Sequence, residues 1–452
     1  MNLADEEHHM TNRRLNPPRR SVLTGLTLAL VGCQSTARGP IAQETPPVPS
    51  GGPSGAVIPP AQGAVEIRPG FEPWLAKLRT DAIAKGISKP TVDVALSGIT
   101  PIPRVIELDR RQPEFTQTFW RYLDGAVSAR RVADGQAMLK QHGPLLKRIE
   151  DQYGVPPRFI VSFWGLETNY GKGAGTYPVI ASLATLAYDG RRAEFFRGEL
   201  FNALTIVDRG HIKAQEMLGS WAGAMGQTQF MPSTFLRYGV DGDKDGHIDI
   251  WRDVTDAFSS AANYLKSLGW DGNRTWGRAV ALPADFDFNL ASIDTNASEV
   301  VKPLTEWSKL GVRQPDGMVL PQQPVQAAVV VPAGAKGPAF LVYDNYRAIL
   351  KWNRSTLYAI AVGHLADRIT GGEALTVKRV VEEPLRREQV TVLQEGLRKL
   401  GYVNSEPDGV VGAGTRQGVR AFQRAKALQP DGYANRDILA RVAQASGLAA
   451  PT

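Results

Sequence analysis

The sequence predicts an α+β protein that is mainly α, and three observations predict it. Apolar residues recur at helical spacing from residue 71 to about 270, as in Trp74-Leu75-Leu78-Ile83, Phe115-Phe119-Trp120-Leu123 and Leu145-Leu146-Ile149. Val325 to Val331 and Phe340-Leu341-Val342 have β-branched, strand-like texture instead, with Pro and Gly around them. Helical spacing then returns from about Tyr346 to Ile369, so a helical core carries a small β-containing insert over residues 275–345. At 452 residues the chain has room for two or three domains. Its 43% hydrophobic and 21% charged content is that of a globular protein rather than a disordered one.

The elements follow in chain order. Arg13, Arg14, Arg19 and Arg20 precede the apolar run Val22 to Val31, which is too short to span a bilayer. It leads into Leu30-Val31-Gly32-Cys33, and Cys33 is the only cysteine of the chain. This resembles a bacterial lipobox, in which a signal peptidase cleaves before the cysteine and its thiol takes a diacylglycerol. A plain secretory signal with an incidental cysteine is the alternative. Gln34 after Cys33 implies sorting to the outer membrane, facing the periplasm. Arg19-Arg20-Ser21-Val22-Leu23 also resembles a twin-arginine signal. Residues 34 to about 70, rich in Pro, Gly, Ala, Ser and Gln, read as a disordered tether. The net charge of +7 suits an acidic polymer or membrane surface, and the lack of a basic run with interleaved aromatics speaks against nucleic acid.

Three motifs in the helical part carry chemistry. Phe163-Trp164-Gly165-Leu166-Glu167-Thr168-Asn169-Tyr170-Gly171 follows Pro156-Pro157 and ends at a glycine, which places Glu167 near the C-terminal end of a short helix. Phe163, Trp164 and Tyr170 then share Glu167's face. A carboxyl walled by rings loses water, and desolvation raises its pKa toward what a general acid needs. A surface glutamate ending an apolar helix is the plain alternative. Next, Ser220-Trp221-Ala222-Gly223-Ala224-Met225-Gly226-Gln227-Thr228-Gln229-Phe230-Met231-Pro232-Ser233 combines small residues with amides and hydroxyls. Ser220, Gln227 and Gln229 offer donors and acceptors for sugar hydroxyls and N-acetyl groups. A helix–helix crossing would explain the small residues equally.

The third motif is Asp241-Gly242-Asp243-Lys244-Asp245-Gly246-His247-Ile248-Asp249. It has the EF-hand spacing: Asp241, Asp243, Asp245 and Asp249 at positions 1, 3, 5 and 9, Gly246 at 6, and the His247 backbone carbonyl at 7. At position 12 Arg252 replaces the bidentate glutamate, so Asp253 or Asp256 must close the shell from a longer loop. A single such site points to a structural calcium ion; an acidic turn with no ion is the alternative.

Together these motifs resemble the membrane-bound lytic murein transglycosylase B family. Trp164-Gly165-Leu166-Glu167-Thr168, Ala222 to Pro232, the loop at 241–249 and Trp352-Asn353-Arg354-Ser355-Thr356-Leu357-Tyr358-Ala359-Ile360-Ala361-Val362 match in order. The resemblance implies a lysozyme-like catalytic domain, with Glu167 as acid and then base. Substrate-lining roles fall on Ser220, Gln229, Tyr264, Asn353 and Tyr358, and Trp352 stands where a tyrosine is common and would stack on a sugar ring. No catalytic cofactor is implied, and a structural calcium ion is. The expected reaction cleaves the MurNAc–GlcNAc bond of peptidoglycan and leaves a 1,6-anhydro-MurNAc end. A lysozyme-type hydrolase would need a second carboxylate, such as Asp189 or Asp344 folding into place. A non-catalytic wall-binding anchor is a third reading.

Residues 385–447 resemble the three-helix peptidoglycan-binding module of wall hydrolases. Leu385, Val390, Leu393, Leu397 and Leu400 fall at helical spacing, Asp408-Gly409-Val410-Val411-Gly412 makes a turn, and Thr415 caps the helix that carries Phe422 and Gln423. Gly418 stands where alanine is common. The expected organisation is a signal at 1–32, a tether at 33–70, a catalytic domain at 71–372, a linker at 373–384 and the binding module at 385–447, in a monomer whose partners are glycan strands and, through Cys33, the membrane.

Overall fold

The computed structural model describes residues 68–111, 117–292, 300–376, 379–380 and 382–449. The signal segment, Cys33, nearly all of the tether, Phe115 and part of the linker lie outside them. Among the described residues no helix is long and apolar enough to cross a membrane.

Two helical cores make up the body. One forms from α1 (Phe71–Ala84), α2 (Lys89–Ala95) and the start of α3 (Pro103–Arg111), packed with later helices of the chain. In α1 the buried face is Phe71, Leu75, Leu78 and Ala82; Ile83 belongs to the same apolar spacing but lies exposed on the other side. The second core takes α4 (Phe119–Ala126), α5 (Ala129–Gln141), α6 (Gly143–Tyr153) and α7 (Pro157–Thr168). The chain then returns to the first core through α8 (Val179–Asp189), α9 (Ala193–Asp208) and α10 (Pro232–Tyr238). Here β1 (Tyr177–Pro178) and β2 (Leu218–Gly219) pair antiparallel. α11 (Val254–Ser267), α13 (Asp344–Trp352) and α14 (Thr356–Ile369) complete the second core.

The β-containing insert is a four-stranded antiparallel sheet with β4 (Lys302–Pro303), β3 (Gly277–Val280), β5 (Gln326–Val330) and β6 (Ala339–Val342) in the order β3-β6-β5-β4. Ala328, Val330, Phe340 and Val342 enter the helical core, while Ala327, Val329 and Leu341 face α12 (Leu304–Lys309) and its Trp307. Burial on both faces explains why these strands read as continuous apolar runs rather than alternating ones.

Helix returns at Asp344, but it is not continuous to Ile369. It breaks at Asn353-Arg354-Ser355, where the Ser355 hydroxyl accepts from the Tyr358 N–H and caps α14. A capping serine competes with helix continuation by offering the next turn's amide another acceptor. α14 lies directly on α7, and the Ser162 hydroxyl donates to the Val362 carbonyl at 2.6 Å between them.

α15 (Arg387–Lys399), α16 (Ala413–Ala425) and α17 (Arg436–Ser446) enclose a separate small core of Leu393, Leu397, Val419, Phe422 and Val442. Thr415 does not cap α16: it lies inside the helix, buried, and its hydroxyl accepts from Gln394 at 3.0 Å. Nor is Gly418 a loose point, because a Cβ there would sit 2.4 Å from Val403. This unit meets the body through polar contacts. Arg424 donates to Asn289 at 2.6 Å, the Ala335 N–H to Asp431 at 2.9 Å and Arg416 to the Val331 carbonyl at 3.3 Å.

Candidate active site

α7 is buried along nearly its whole length, from Phe159 to Thr168, so its one acidic residue goes inside with it. Pro157 starts the helix where no N–H is needed, and Asn169 ends it in a left-handed conformation. Tyr170 follows, also left-handed at φ 61°, and this turns it off Glu167's face. Its ring packs against Gly165 and Gly135, and its hydroxyl donates to the Arg131 carbonyl at 2.7 Å. Trp164 likewise turns away: its indole N–H donates to Gln227 Oε1 at 3.0 Å, and its rings meet His142 and Phe258.

The rings around Glu167 come instead from the other end of the chain. Trp352 donates its indole N–H to Glu167 Oε1 at 2.9 Å, and the Tyr358 hydroxyl donates to the same oxygen. Phe163 stands one turn before Glu167 and packs on both, with ring centres 4.5 Å and 6.2 Å away. Trp352 also contacts Phe230 at 5.4 Å and Tyr264 at 5.1 Å, and touches both helical cores. The site therefore lies on the seam between them.

Glu167 is 4% exposed, and burial pushes its carboxyl up to about 7; the Tyr358 and Trp352 hydrogen bonds pull the other way. Both donors use Oε1, and Oε2 has no partner among the described residues. An oxygen that accepts two hydrogen bonds is the poorer place for a proton, so the acidic hydrogen belongs on Oε2. Asp189 pairs with Arg110 at 2.8 Å and Asp344 with Arg347, and neither contributes to the Glu167 environment. Tyr122 on α4 does belong there. Burial, and then the Glu167 charge, hold its phenol protonated. Sequence reasoning missed it because a tyrosine beside Phe119, Trp120 and Leu123 reads as part of an apolar helix face.

The remaining candidates are held by a tight loop rather than a helix crossing. The Ser220 hydroxyl accepts from the Ala224 N–H at 3.0 Å, and Met225 exchanges backbone hydrogen bonds with Phe230. A Cβ on Gly226 would lie 2.6 Å from the Ile250 carbonyl, which is why the motif is rich in small residues. Gln229 is left-handed at φ 50° and donates its amide to the Ala174 and Gly226 carbonyls, leaving its amide oxygen to accept. Gln227 is turned to Trp164. Asn353 is buried at the helix break and accepts from the Ser355 N–H at 3.1 Å. Tyr264 is half-buried between Tyr238 and Trp352.

In the acidic loop, carboxylate oxygens of Asp241, Asp243 and Asp256 lie within 4.8 Å of one another. Asp256 is 2% exposed, and burial raises its pKa. Asp253 instead caps α11, accepting from the Thr255 and Asp256 amides. Arg252 points outward to Glu216 at 2.7 Å. Asp245 and Asp249 accept loop amides, from His247 at 2.8 Å and from Trp251 and Arg252 at 2.9 Å, and the His247 side chain is exposed.

A family model described as the transglycosylase SLT domain matches residues 70–367, and a model for a peptidoglycan binding domain matches residues 386–442. Membrane-bound lytic murein transglycosylase B of Escherichia coli (strain K12) is 34% identical over 267 residues, which are 58% of this chain and 68% of that protein. The crystal structure of SltB3 from Pseudomonas aeruginosa in complex with NAG-anhNAM-pentapeptide is 46% identical. It covers 83% of this chain and 100% of its own, with a TM-score of 0.79. The structure of Escherichia coli Slt35 in complex with calcium is 29% identical and covers 66% of this chain and 93% of its own, with a TM-score of 0.56.

The geometry gives a pH test. Hydrogen bonds to Oε1 favour the carboxylate, so removing one favours the acid. Tyr358→Phe is expected to lift the Glu167 pKa above about 7 and to move the basic limb of the kcat/KM profile upward, by about one pH unit or more. A limb that stays put or moves down in the variant would show that Tyr358 does not tune this acid.

Proposed function

The chain belongs to the transglycosylase SLT domain family, and from that premise we propose that Glu167 is the acid and then the base of its reaction. The protein is a lytic transglycosylase that cleaves peptidoglycan, with the lysozyme-like fold of that family. Residues 71–372 are its catalytic domain, and residues 385–447, joined by 373–384, bind the wall.

The observation that carries the assignment is a buried carboxyl with two donors on Oε1 and none of the described residues on Oε2, which burial pushes up to about 7. In this reading Glu167 gives its proton to the oxygen between MurNAc and GlcNAc. The C1–O bond breaks, and positive charge develops at MurNAc C1. Its 2-acetamido group and nearby dipoles stabilise that charge; the Gln229 amide oxygen, Asn353 and the Tyr264 hydroxyl are the groups placed to orient the ring, with Ser220 and Gln227 supporting the loop. The C6 hydroxyl attacks C1, and Glu167, now a carboxylate steadied by Tyr358 and Trp352, takes its proton. Water is not consumed, so one carboxylate suffices where a hydrolase needs two.

Mass spectrometry of fragments released from purified peptidoglycan tests this. The native chain should give anhydro-ended fragments, one water lighter than reducing-ended ones, and Glu167→Gln should give none. Reducing-ended fragments would return the hydrolase reading; binding without release would return the anchor.

The acidic loop fits a hard cation. Its donors are carboxylate oxygens, they converge, and the buried Asp256 has no cationic partner among the described residues. Asp241, Asp243 and Asp256, with Asp245, Asp249 and the His247 carbonyl, would hold calcium in a structural role. Calcium should raise the melting temperature and chelation should lower it. Asp256→Asn should blunt both effects, and equal responses in the two proteins would remove the site.

The protein acts in the cell envelope, where peptidoglycan lies. Acylated Cys33 would anchor it to the outer membrane. Cys33→Ser should then move the chain from the membrane to the soluble periplasmic fraction, and an unchanged distribution would argue against the anchor.

A further inference from the structure

Ser162, Glu167 and Thr168 are the oxygen-bearing side chains buried along α7. Glu167 is the acid. The Thr168 hydroxyl donates to the Gln227 carbonyl at 3.0 Å and accepts from the Gly171 N–H at 3.0 Å, which ties the end of the helix to the loops beside it. Ser162 has no such place at a helix end. It lies inside an apolar stretch, between Val161 and Phe163, and is fully buried.

A buried serine inside a helix usually turns its hydroxyl back to the carbonyl four residues before it. The Ser162 hydroxyl crosses instead to α14 and donates to the Val362 carbonyl at 2.6 Å. Val362 is fully buried too, and in such low-dielectric surroundings a hydrogen bond is strong. α14 therefore meets α7 at two polar points, this one and the Tyr358 hydroxyl on Glu167 Oε1. Between them the chain advances from 162 to 167 on α7 and goes back from 362 to 358 on α14. At a rise of about 1.5 Å per residue the two steps are about 7.5 and 6 Å long. The two bonds are neighbouring rungs between the same pair of helices.

Register matters because the chain just before Tyr358 does not supply it. The helix is interrupted at Asn353-Arg354-Ser355, so α13 does not hold α14 in line, and Tyr358 stands in the first turn of α14. Phe163 packs on the Tyr358 ring with centres 6.2 Å apart, but apolar attraction is non-directional. A hydrogen bond has a direction and a short reach. A slide of α14 by about 1.5 Å, one residue's rise, would take the phenol out of bonding distance of Oε1.

We propose that Ser162 is a positioning residue of the reaction: its bond to the Val362 carbonyl holds α14 on α7 in the register at which the Tyr358 hydroxyl reaches Glu167 Oε1. Ser162 acts through Tyr358 and meets no substrate. The proposal rests on the reading of Glu167 as the acid and adds to it the group that aims its donor.

The test is the pH profile of kcat/KM for release of anhydro-ended fragments by the full chain, in Ser162→Ala, Tyr358→Phe and the double variant, with melting temperatures alongside. The Tyr358 bond favours the carboxylate, so loosening it favours the acid. The basic limb of Ser162→Ala should move upward by about half a pH unit, part of the shift of about one unit or more expected for Tyr358→Phe. The double variant should move no further than Tyr358→Phe alone, because the serine works through the tyrosine. Ser162→Cys keeps nearly the same size with a weaker donor, and its limb should lie between those of the native chain and Ser162→Ala; it carries the test if the alanine variant does not fold. A serine that only stabilises the fold would lower the melting temperature and leave the limb in place. A limb unmoved or lowered in the serine variants overturns the proposal, and so does a double variant whose shift is the sum of the single ones. A native chain that releases no anhydro-ended fragment overturns the reading of Glu167, and this proposal with it.

Discussion

Glu167 must be buried to hold a proton and must be stabilised as an anion once the proton is gone; the site is organised around that conflict. Burial supplies the first requirement and lifts the carboxyl to about 7 from an ordinary 4.5. The two hydrogen bonds on Oε1 supply the second and restrain that rise. The arrangement costs stability, and the sign is plain. Above the unfolded value the unfolded chain is ionised while the folded chain still keeps its proton. The fold loses free energy as pH climbs through that window, until the folded carboxyl ionises as well.

Two donors on one oxygen require the break between α13 and α14. In a continuous helix, residues 352 and 358 would be about 120° apart around the axis and could not meet at one oxygen. The Ser355 cap resets the direction, so that the last residue of one helix and the first turn of the next address the same carboxyl. The same break exposes Arg354.

Local patterns were legible in the sequence, and meetings between distant ones were not. Glu167's place at the end of a buried helix follows from Pro157, the apolar run and the polar stop. The β-containing insert follows from the strand-like texture of Val325 to Val331 and Phe340 to Val342. What surrounds Glu167 does not, because side chains one helical turn away, Trp164 and Tyr170, are drawn off by Gln227 and Arg131. Trp352 suggested a platform for a sugar, and its N–H proves to face the acid. Asp253 and Asp256 were equal candidates to close the acidic loop until capping of α11 claimed Asp253. Thr415 has the residue type of a cap but serves a buried glutamine. Each case is a competition among partners that only the folded neighbourhood decides.

The path of the chain carries a further consequence. α7 belongs to the second core, α8, α9 and α10 to the first, and α11, α13 and α14 to the second again, so Trp352 and Tyr358 reach Glu167 across 185 and 191 residues. Contacts that distant form late, because the intervening chain must be ordered before its ends can meet. A chain emerging N-terminus first has made its acidic residue long before it has made either of the groups that tune it. An enzyme that cuts the wall around its own cell is therefore assembled as a cutter only when its catalytic domain is nearly complete.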